Sequence, residues 1–308
     1  MCIKLSQLIY FSDINVYLCS LKRTNQMIQI HDFQSMIERL RFLDKTPRVA
    51  VVCPDDEHTR VVMQRFEADG LARFLCFDGE PGDAARQAVA SVRRGEADVL
   101  MKGLVNTDVL LRAILDKQQG LLLPGSVMSH VAVCEIPGYH KLLICSDVAV
   151  IPNPTLKQYD AIVRYATKLC RQIHPNTPRI ALLHCNEHVS EKFPVTLSYE
   201  QLKAWAAEGQ YGQVAIEGPM DVKSACDAES ARIKGMVGAV SGEADIAVFP
   251  DIEAGNTFYK TITHFCHART ACMLTGTTAP VVLPSRSDSS ECKYYSLALA
   301  CLALGGAE

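Results

Sequence analysis

Short apolar runs alternate with longer amphipathic patterns along the chain from Pro47 onward. The short runs lack a two-residue alternation of apolar and polar positions, which is typical of strands buried on both faces. The predicted strands are RVAVVC (48–53), LARFLCF (71–77), ADVLMKG (97–103), RIALLH (179–184), QVAIEG (213–218), ADIAVFP (244–250) and APVVLP (279–284). Because helical patterns separate these runs, the sequence predicts an α/β fold whose parallel-rich sheet carries helices on both sides.

Residues 126–151 interrupt this alternation. Two apolar runs flank Pro137 and Gly138, a pattern that indicates a β-hairpin. We interpret the hairpin as the mark of a change of sheet or domain near residue 150. The sequence thus predicts two α/β domains, the first formed by 27–150 with 285–308 and the second by 151–284.

Four helical segments carry specific expectations. A helical pattern opens at Met27, so residues 1–26 are interpreted as an extension that contributes little to the core and is neither a signal peptide nor a membrane span. Helices are also predicted through 232–240, over 256–276 and from about Asp288 onward.

Composition narrows the class of protein. The chain has 308 residues, 48% hydrophobic and 21% charged, with a formal net charge of -3. Such a balanced charge argues against nucleic acid or an anionic membrane as the partner. No two of its 13 cysteines have CxxC spacing. They are interpreted as small buried side chains in a reducing compartment, and the protein is expected in the cytoplasm.

Four predicted strands end in polar clusters that contain glycine, a cation or both. They are MKGLVNT (101–107), EGPMDVKSA (217–225), FPDIEAGNTFYK (249–260) and PSRSDSSE (284–291). Parallel strands present ligand sites at their carboxyl ends, beside helix N-termini whose free N–H groups attract anions. Repetition of the pattern favours an anion site.

A plainer interpretation is helix capping. Asn106, Asn256 and Asp288 are all good N-cap residues, and Asp288 with Glu291 three positions later is typical of a capping box. The chain has neither a GxxxxGK[ST] loop nor a strand-to-helix GxGxxG, and Ser285 lacks a G-x-S-x-G elbow. The spaced histidines are a weak metal signal, so no metal is expected.

Taken together, several segments resemble the phosphate acetyl/butyryl transferases, more closely the butyryl branch. They are MKGLVNTDVLLRAIL, SHVAVCEIPGYHKLLICSDVAVIPNPTLKQ, PRIALLH, EGPMD, GEADIAVFPDIEAGNTFYK and PVVLPSRSDS. The resemblance implies a two-domain fold like that of the isocitrate and isopropylmalate dehydrogenases, with the active site in the inter-domain cleft. It implies reversible transfer of a short acyl group, expected to be butyryl, between coenzyme A and phosphate, in a homodimer or larger homo-oligomer without a permanently bound cofactor.

The resemblance also implies roles for individual residues. Ser285 and Arg286 would hold the phosphate and the reacting carbonyl, and Asp288 would accept the thiol proton, with Glu291 as the alternative. In the acetyl branch the proposed base lies further on, where this chain has Cys292. Residues that match the family motifs and would bind substrate are Lys102, Gly103, Thr107, Ser129, Asp147, Gly255, Asn256 and Lys260. For Ser129 and Asp147 a purely structural role is equally open.

Three alternatives remain at this point. The first is acetyl or propionyl transfer by the same chemistry. The second is a metal- and NAD-dependent dehydrogenase of the same fold, although no cluster of metal ligands is evident in the sequence. The third is a non-catalytic protein that binds coenzyme A.

Overall fold

A computed structural model of the chain describes residues 29–285 and 288–306. The strands are β1 (Arg48–Val52), β2 (Arg73–Phe77), β3 (Val99–Lys102), β4 (Ser129–Glu135), β5 (Leu143–Ser146), β6 (Arg179–Leu183), β7 (Ala215–Met220), β8 (Ile246–Val248), β9 (Arg269–Thr275) and β10 (Val281–Val282). The helices are α1 (Phe33–Leu40), α2 (Glu57–Ala68), α3 (Pro81–Arg93), α4 (Thr107–Ile114), α5 (Leu156–Ile173), α6 (Pro194–Ala207), α7 (Val222–Cys226), α8 (Ala228–Ile233), α9 (Ile252–Phe265) and α10 (Ser290–Ala303), and a 3-10 turn follows at Leu304–Gly306. The predicted extension, 1–26, lies outside the described residues.

All ten strands join one sheet in the order β2-β1-β3-β10-β9-β4-β5-β8-β6-β7. The pairs on both sides of the centre are parallel, and the pairs that β4 and β9 form with their neighbours are antiparallel. The hairpin predicted about Pro137 and Gly138 is confirmed, because β4 pairs antiparallel with β5. The sequence therefore predicted a mostly parallel α/β sheet correctly.

The two faces of the sheet are packed differently. One face carries a single large core that includes Val131 and Val133 of β4, together with residues of α1, α2, α5, α6 and α10. The other face carries two separate clusters, one over β1 and β3 and the other over β5 and β8. The boundary between these two clusters falls on β9 and β4, since Leu274 belongs to the first and Ala132 to the second.

Two helix predictions were wrong. The helix expected over 256–276 ends at Phe265, His267 adopts a left-handed φ of 52°, and 269–275 forms β9 in the middle of the sheet. The helix expected through 232–240 stops at Ile233. Beyond it, the Val240 N–H donates to Glu217 of β7 instead of to a helical carbonyl.

Within the described part of the chain, no helix combines the length and the apolar character needed to cross a membrane.

A buried ion pair joins α10 to the start of α2. The Nζ of Lys293, a residue only 5% exposed, donates to Asp56 Oδ1 at 2.7 Å and to Thr59 Oγ1 at 3.3 Å. The same Asp56 oxygen accepts the Thr59 N–H at 2.9 Å and so caps α2. Burial raises the pKa of Asp56, but the bonds from Lys293 and Thr59 outweigh it and leave this pKa below its ordinary value. The pair therefore fixes the last long helix to the start of α2.

We expect Lys293→Met to lower the free energy of unfolding by about 2 kcal/mol, because it leaves a half-buried carboxylate without its cation. The contribution of a carboxylate with a depressed pKa is present above the unfolded value, near about pH 4, and is lost as pH falls through the folded value. Urea denaturation at pH 7 and at pH 3 measures both effects. Arg94→Met is the matched control, since Arg94 and its partner Glu96 are exposed. Equal losses in the two variants at pH 7 would contradict the prediction.

Candidate active site

The end of β3 lies against the segment that follows β10. Lys102 is the last residue of β3 and is 3% exposed. Its Nζ donates to the carbonyl of Pro284 at 3.2 Å and to that of Gly103 at 3.4 Å. Two of the motifs predicted to bind anions are thereby brought together, with a buried cation beside the peptide that leads into Ser285.

Two hydrogen bonds join Ser285 to Asp288. The Ser285 N–H donates to Asp288 Oδ2 at 2.7 Å, and the Asp288 N–H donates back to the Ser285 carbonyl at 3.2 Å. Arg286, the third predicted catalytic residue, lies outside the described residues. The capping interpretation of Asp288 was wrong, because the N-cap of α10 is Ser289, whose Oγ accepts the Cys292 N–H at 3.1 Å.

A cavity of about 1010 Å³ opens between the C-terminal half of α9 and the start of α10, and we call it the α9–α10 cavity. Six of its lining residues matter here: Asn256, Tyr259, Lys260, Asp288, Glu291 and Cys292. Burial, followed by the nearby Asp288 carboxylate, raises the pKa of the Cys292 thiol to about 11. Near neutral pH this thiol is therefore protonated and cannot replace a carboxylate as a base.

Asp147 is the centre of a buried network at the start of β4. One carboxylate oxygen accepts from Ser129 Oγ at 2.9 Å and from the His130 N–H at 2.8 Å. The other accepts the N–H groups of Ala149 and Val150, each at 2.8 Å. Ser129 and Asp147 are both buried. These contacts give the two residues a structural task, which is to hold β4 against the segment that follows β5.

Two predicted glycines allow close packing of the backbone. A Cβ on Gly103 would lie 2.3 Å from the carbonyl oxygen of Cys53, and one on Gly255 would lie 2.4 Å from that of Asp147. Neither contact tolerates a side chain, so the structure explains both glycines by packing.

Asn256 lies in the second turn of α9, and Thr107 lies at the start of α4. Asn256 Nδ2 donates to the Val148 carbonyl at 2.9 Å, which ties α9 to the segment after β5. The capping interpretation named Asn256 as the N-cap of α9, but the N-cap is Asp251. Thr107 is the exposed first residue of α4, behind Asn106 at the predicted N-cap position.

A second cavity of about 790 Å³ lies at the carboxyl ends of β6, β7 and β8. Its walls include Phe193, Phe249 and Phe258, together with Asp221 and Lys223 of the EGPMDVKSA motif. Asp221 caps α7 and pairs with Lys234, so that motif serves the helix start. None of the predicted catalytic residues that the structure describes lines this cavity.

The histidines predicted not to bind metal are placed as follows. His184 accepts the Asn186 N–H through Nδ1 and packs edge-on against Phe193, whereas His264 and His267 line the α9–α10 cavity. Over 29–285 and 288–306, no group of three or more potential ligands is arranged to hold a metal ion.

Comparison with known proteins supplies the family. A model described as phosphate acetyl/butaryl transferase matches residues 79–301. A phosphate butyryltransferase of Clostridium acetobutylicum is 42% identical over 222 residues, which cover 72% of this chain and 73% of that protein. A phosphate acetyltransferase of Thermotoga maritima is 34% identical over 249 residues, which cover 81% and 84%.

The chain belongs to the phosphate acetyl/butyryl transferase family.

A solved relative agrees with this assignment. The crystal structure of a branched-chain phosphotransacylase from Enterococcus faecalis V583 matches with a TM-score of 0.74 and 27% identity, covering 84% of this chain and 99% of that one. The resemblance found in the motifs is thus confirmed. Within this transferase family fold, the structure brings Lys102, Ser285 and Asp288 into one neighbourhood.

The sequence analysis missed His130, which directly follows the predicted Ser129. Strand periodicity places its ring on the sheet face that carries the two separate clusters. Nothing in the sequence marked the charged neighbours that meet it there.

Proposed function

We propose that the protein transfers a short acyl group, butyryl in the first instance, from coenzyme A to phosphate, and catalyses the reverse reaction. Transfer takes place directly in a ternary complex of enzyme, acyl-CoA and phosphate. The observation that carries the proposal is the hydrogen-bonded pair of Ser285 and Asp288 after β10, with the buried Lys102 against the preceding Pro284 and Asp288 lining the α9–α10 cavity. Membership of the transferase family supports the same reaction.

The reaction requires the enzyme to position two substrates and to stabilise negative charge. A phosphate oxygen attacks a thioester carbonyl, so two anionic substrates must be held in line while an oxyanion develops. Lys102, Lys260 and Arg286 supply cations for this task. The size of the α9–α10 cavity, about 1010 Å³, lies at the upper end of the range for small-molecule sites and suits a ligand as large as acyl-CoA.

The three predicted catalytic residues and four of the predicted substrate-binding residues take roles in this proposal. Ser285 donates to the reacting oxygen, and Arg286 grips the phosphoryl oxygens with its planar fork. Asp288 orients Ser285 through the 2.7 Å bond to its N–H. Since a carboxylate has further lone pairs, Asp288 is also a candidate for the general base, with Glu291 as the alternative. Thr107, at the start of α4, and Asn256, in the second turn of α9, bind substrate through their polar side chains. Lys102 and Lys260 bind it as cations.

The finer features of the fold belong to the same proposal. We propose two domains that meet in a cleft, as in the isocitrate and isopropylmalate dehydrogenases, with the two separate clusters on one sheet face as its two sides. We also propose a homodimer or larger homo-oligomer that works in the cytoplasm. The described cysteines, all free thiols, are compatible with a reducing compartment.

The proposed reaction predicts release of free thiol when the protein is mixed with butyryl-CoA and phosphate. Acetyl-, propionyl- and branched acyl-CoAs rank the acyl preference in the same assay, where one methylene changes the rate by about 10-fold or more. A metal- and NAD-dependent dehydrogenase would instead lose activity in EDTA and reduce NAD with a hydroxy acid. Failure to release thiol from any of these acyl-CoAs would reject the transferase.

A further inference from the structure

His130 is held firmly at the start of β4. Its N–H donates to Asp147 Oδ2 at 2.8 Å, and its carbonyl accepts from Ser146 Oγ at 2.9 Å. Across the sheet it pairs with Leu274 of β9. Because side chains alternate along a strand, the ring lies on the same face as Ala132, at the boundary between the two separate clusters.

One ring nitrogen of His130 has no assigned task in the fold. Its Nδ1 is buried and has no hydrogen-bond partner among the residues that the structure describes. Leaving a buried polar atom unsatisfied destabilises the fold, so such an atom indicates a ligand or a catalytic role. The backbone hydrogen bonds fix the position of His130 in the strand, but none of them involves this ring nitrogen.

The charges around the ring belong to the candidate active site. Burial lowers the pKa of His130 below its ordinary value of 6.5, and Lys260 of α9 lowers it further. Asp147, after β5, and Asp288, before α10, act in the opposite direction without reversing the shift. Lys260 and Asp288 both line the α9–α10 cavity. Near neutral pH the ring is therefore an uncharged imidazole, able to accept a proton, and two of the charged groups that act on it line that cavity.

We propose that His130 is a further catalytic residue, whose Nδ1 carries the proton between the attacking phosphate and the sulfur of coenzyme A. This role rests on the proposed acyl transfer. In that reaction a C–O bond forms between hydrogen phosphate and the carbonyl carbon, and the C–S bond breaks. Nδ1 takes the proton from the phosphate oxygen and returns it to the leaving sulfur, so the imidazole ends neutral. The reverse reaction uses the same nitrogen for the thiol proton.

His130 is a better candidate than Asp288 for the group that carries the proton. The Asp288 carboxylate already accepts the Ser285 N–H at 2.7 Å, so it has a structural task in holding Ser285. A neutral imidazole can both accept a proton and return it near neutral pH, which suits a group that carries a proton between two substrates. Asp288 then acts as a positioning residue for Ser285.

The decisive experiment compares His130→Asn, His130→Ala and Asp288→Asn in the thiol-release assay. General acid–base catalysis contributes about 100-fold or more, so both His130 variants should lose about that factor in kcat with little change in KM. Asparagine keeps a hydrogen-bonding group near the position of Nδ1 but cannot carry a proton, and added imidazole should partly rescue His130→Ala. His140→Asn is the matched control, because His140 is exposed at the far end of the same hairpin beside Glu243.

The pH profile separates proton transfer from a merely structural role. In the wild type, kcat should fall as the pH drops through the pKa of the ring, below 6.5, because the protonated ring cannot accept a proton. This acid limb should disappear in His130→Asn and persist in Asp288→Asn. The opposite pattern, or kcat of His130→Asn within about 3-fold of wild type against the roughly 100-fold expected of acid–base catalysis, would overturn the proposal.

A second readout does not need turnover. The ring nitrogen resonance of His130, assigned by its loss in His130→Asn, should shift when phosphate or coenzyme A is added to isotope-labelled protein. If the wild type releases no thiol, the proposed reaction is rejected, and a shift would still place His130 at a bound substrate. If neither ligand moves the resonance, the role of His130 is rejected whether or not the enzyme turns over.

Discussion

Asp147→Ala is expected to lower the free energy of unfolding by roughly 4 kcal/mol, an unusually large loss for one substitution. The carboxylate accepts four hydrogen bonds, from Ser129 Oγ and from the N–H groups of His130, Ala149 and Val150. Alanine would leave the His130 N–H without an acceptor and the buried Ser129 hydroxyl with only its longer contact to Ser146 Oγ, at 3.3 Å. Chemical denaturation followed by circular dichroism measures the loss.

Two further variants make the Asp147 result specific. Asp147→Asn keeps one carbonyl oxygen but turns an amide N–H₂ toward the other donors, so we expect a loss of about half that size. Asp55→Ala is the control, because Asp55 is exposed in a surface pair with Arg60 and such pairs contribute about 0–1 kcal/mol. A loss below about 1 kcal/mol in Asp147→Ala would show that the network does not stabilise the fold as described.

Arg286→Ala is expected to reduce kcat/KM for acyl transfer by about 100-fold or more, the usual loss when a donor to a developing negative charge is removed. Arg286 lies outside the described residues, so its role is predicted from the SR pair and from the hydrogen bond between Ser285 and Asp288. Steady-state thiol release with varied phosphate measures the change. Near-normal turnover would remove Arg286 from the mechanism.

The conservative variant tests how Arg286 would act. Arg286→Lys keeps the charge but loses the planar fork that binds two phosphoryl oxygens at once, so we expect it to recover only part of the activity. Arg232→Ala serves as the control, since Arg232 is exposed on α8 beside Glu229. Unfolding measurements on the Arg286 variants should match wild type, which would show that the loss is one of catalysis.

Local sequence signals predicted the elements whose boundaries have local causes. The turn at Pro137 and Gly138 and the short buried runs of the parallel strands were identified from the residues themselves. β9 was missed because 256–276 has no glycine or proline between its ends. The helix ends at Phe265, and His267, which is not a glycine, adopts the left-handed conformation just beyond it. The strand state of β9 comes from pairing with β4 and β10, which lie far away in sequence.

The same distinction between local and distant causes applies to the candidate site. The motifs MKGLVNT and PSRSDSSE were predicted to bind anions, but the sequence could not show that the Lys102 ammonium meets the Pro284 carbonyl. Capping of α10 was assigned to Asp288 when Ser289 performs it, because adjacent Asp and Ser residues cap equally well and only backbone geometry chooses between them.

By itself the sequence determined the α/β class, the hairpin, the family and the residues of the SR motif, because each depends on residue types within a short segment. Only the tertiary structure decided the order of the ten strands, the strand state of β9 and the division of one sheet face into two clusters. The same holds for His130, whose buried ring is influenced by the charges of Lys260 in α9 and of Asp288 before α10. Those groups are distant in sequence, and only packing brings them together.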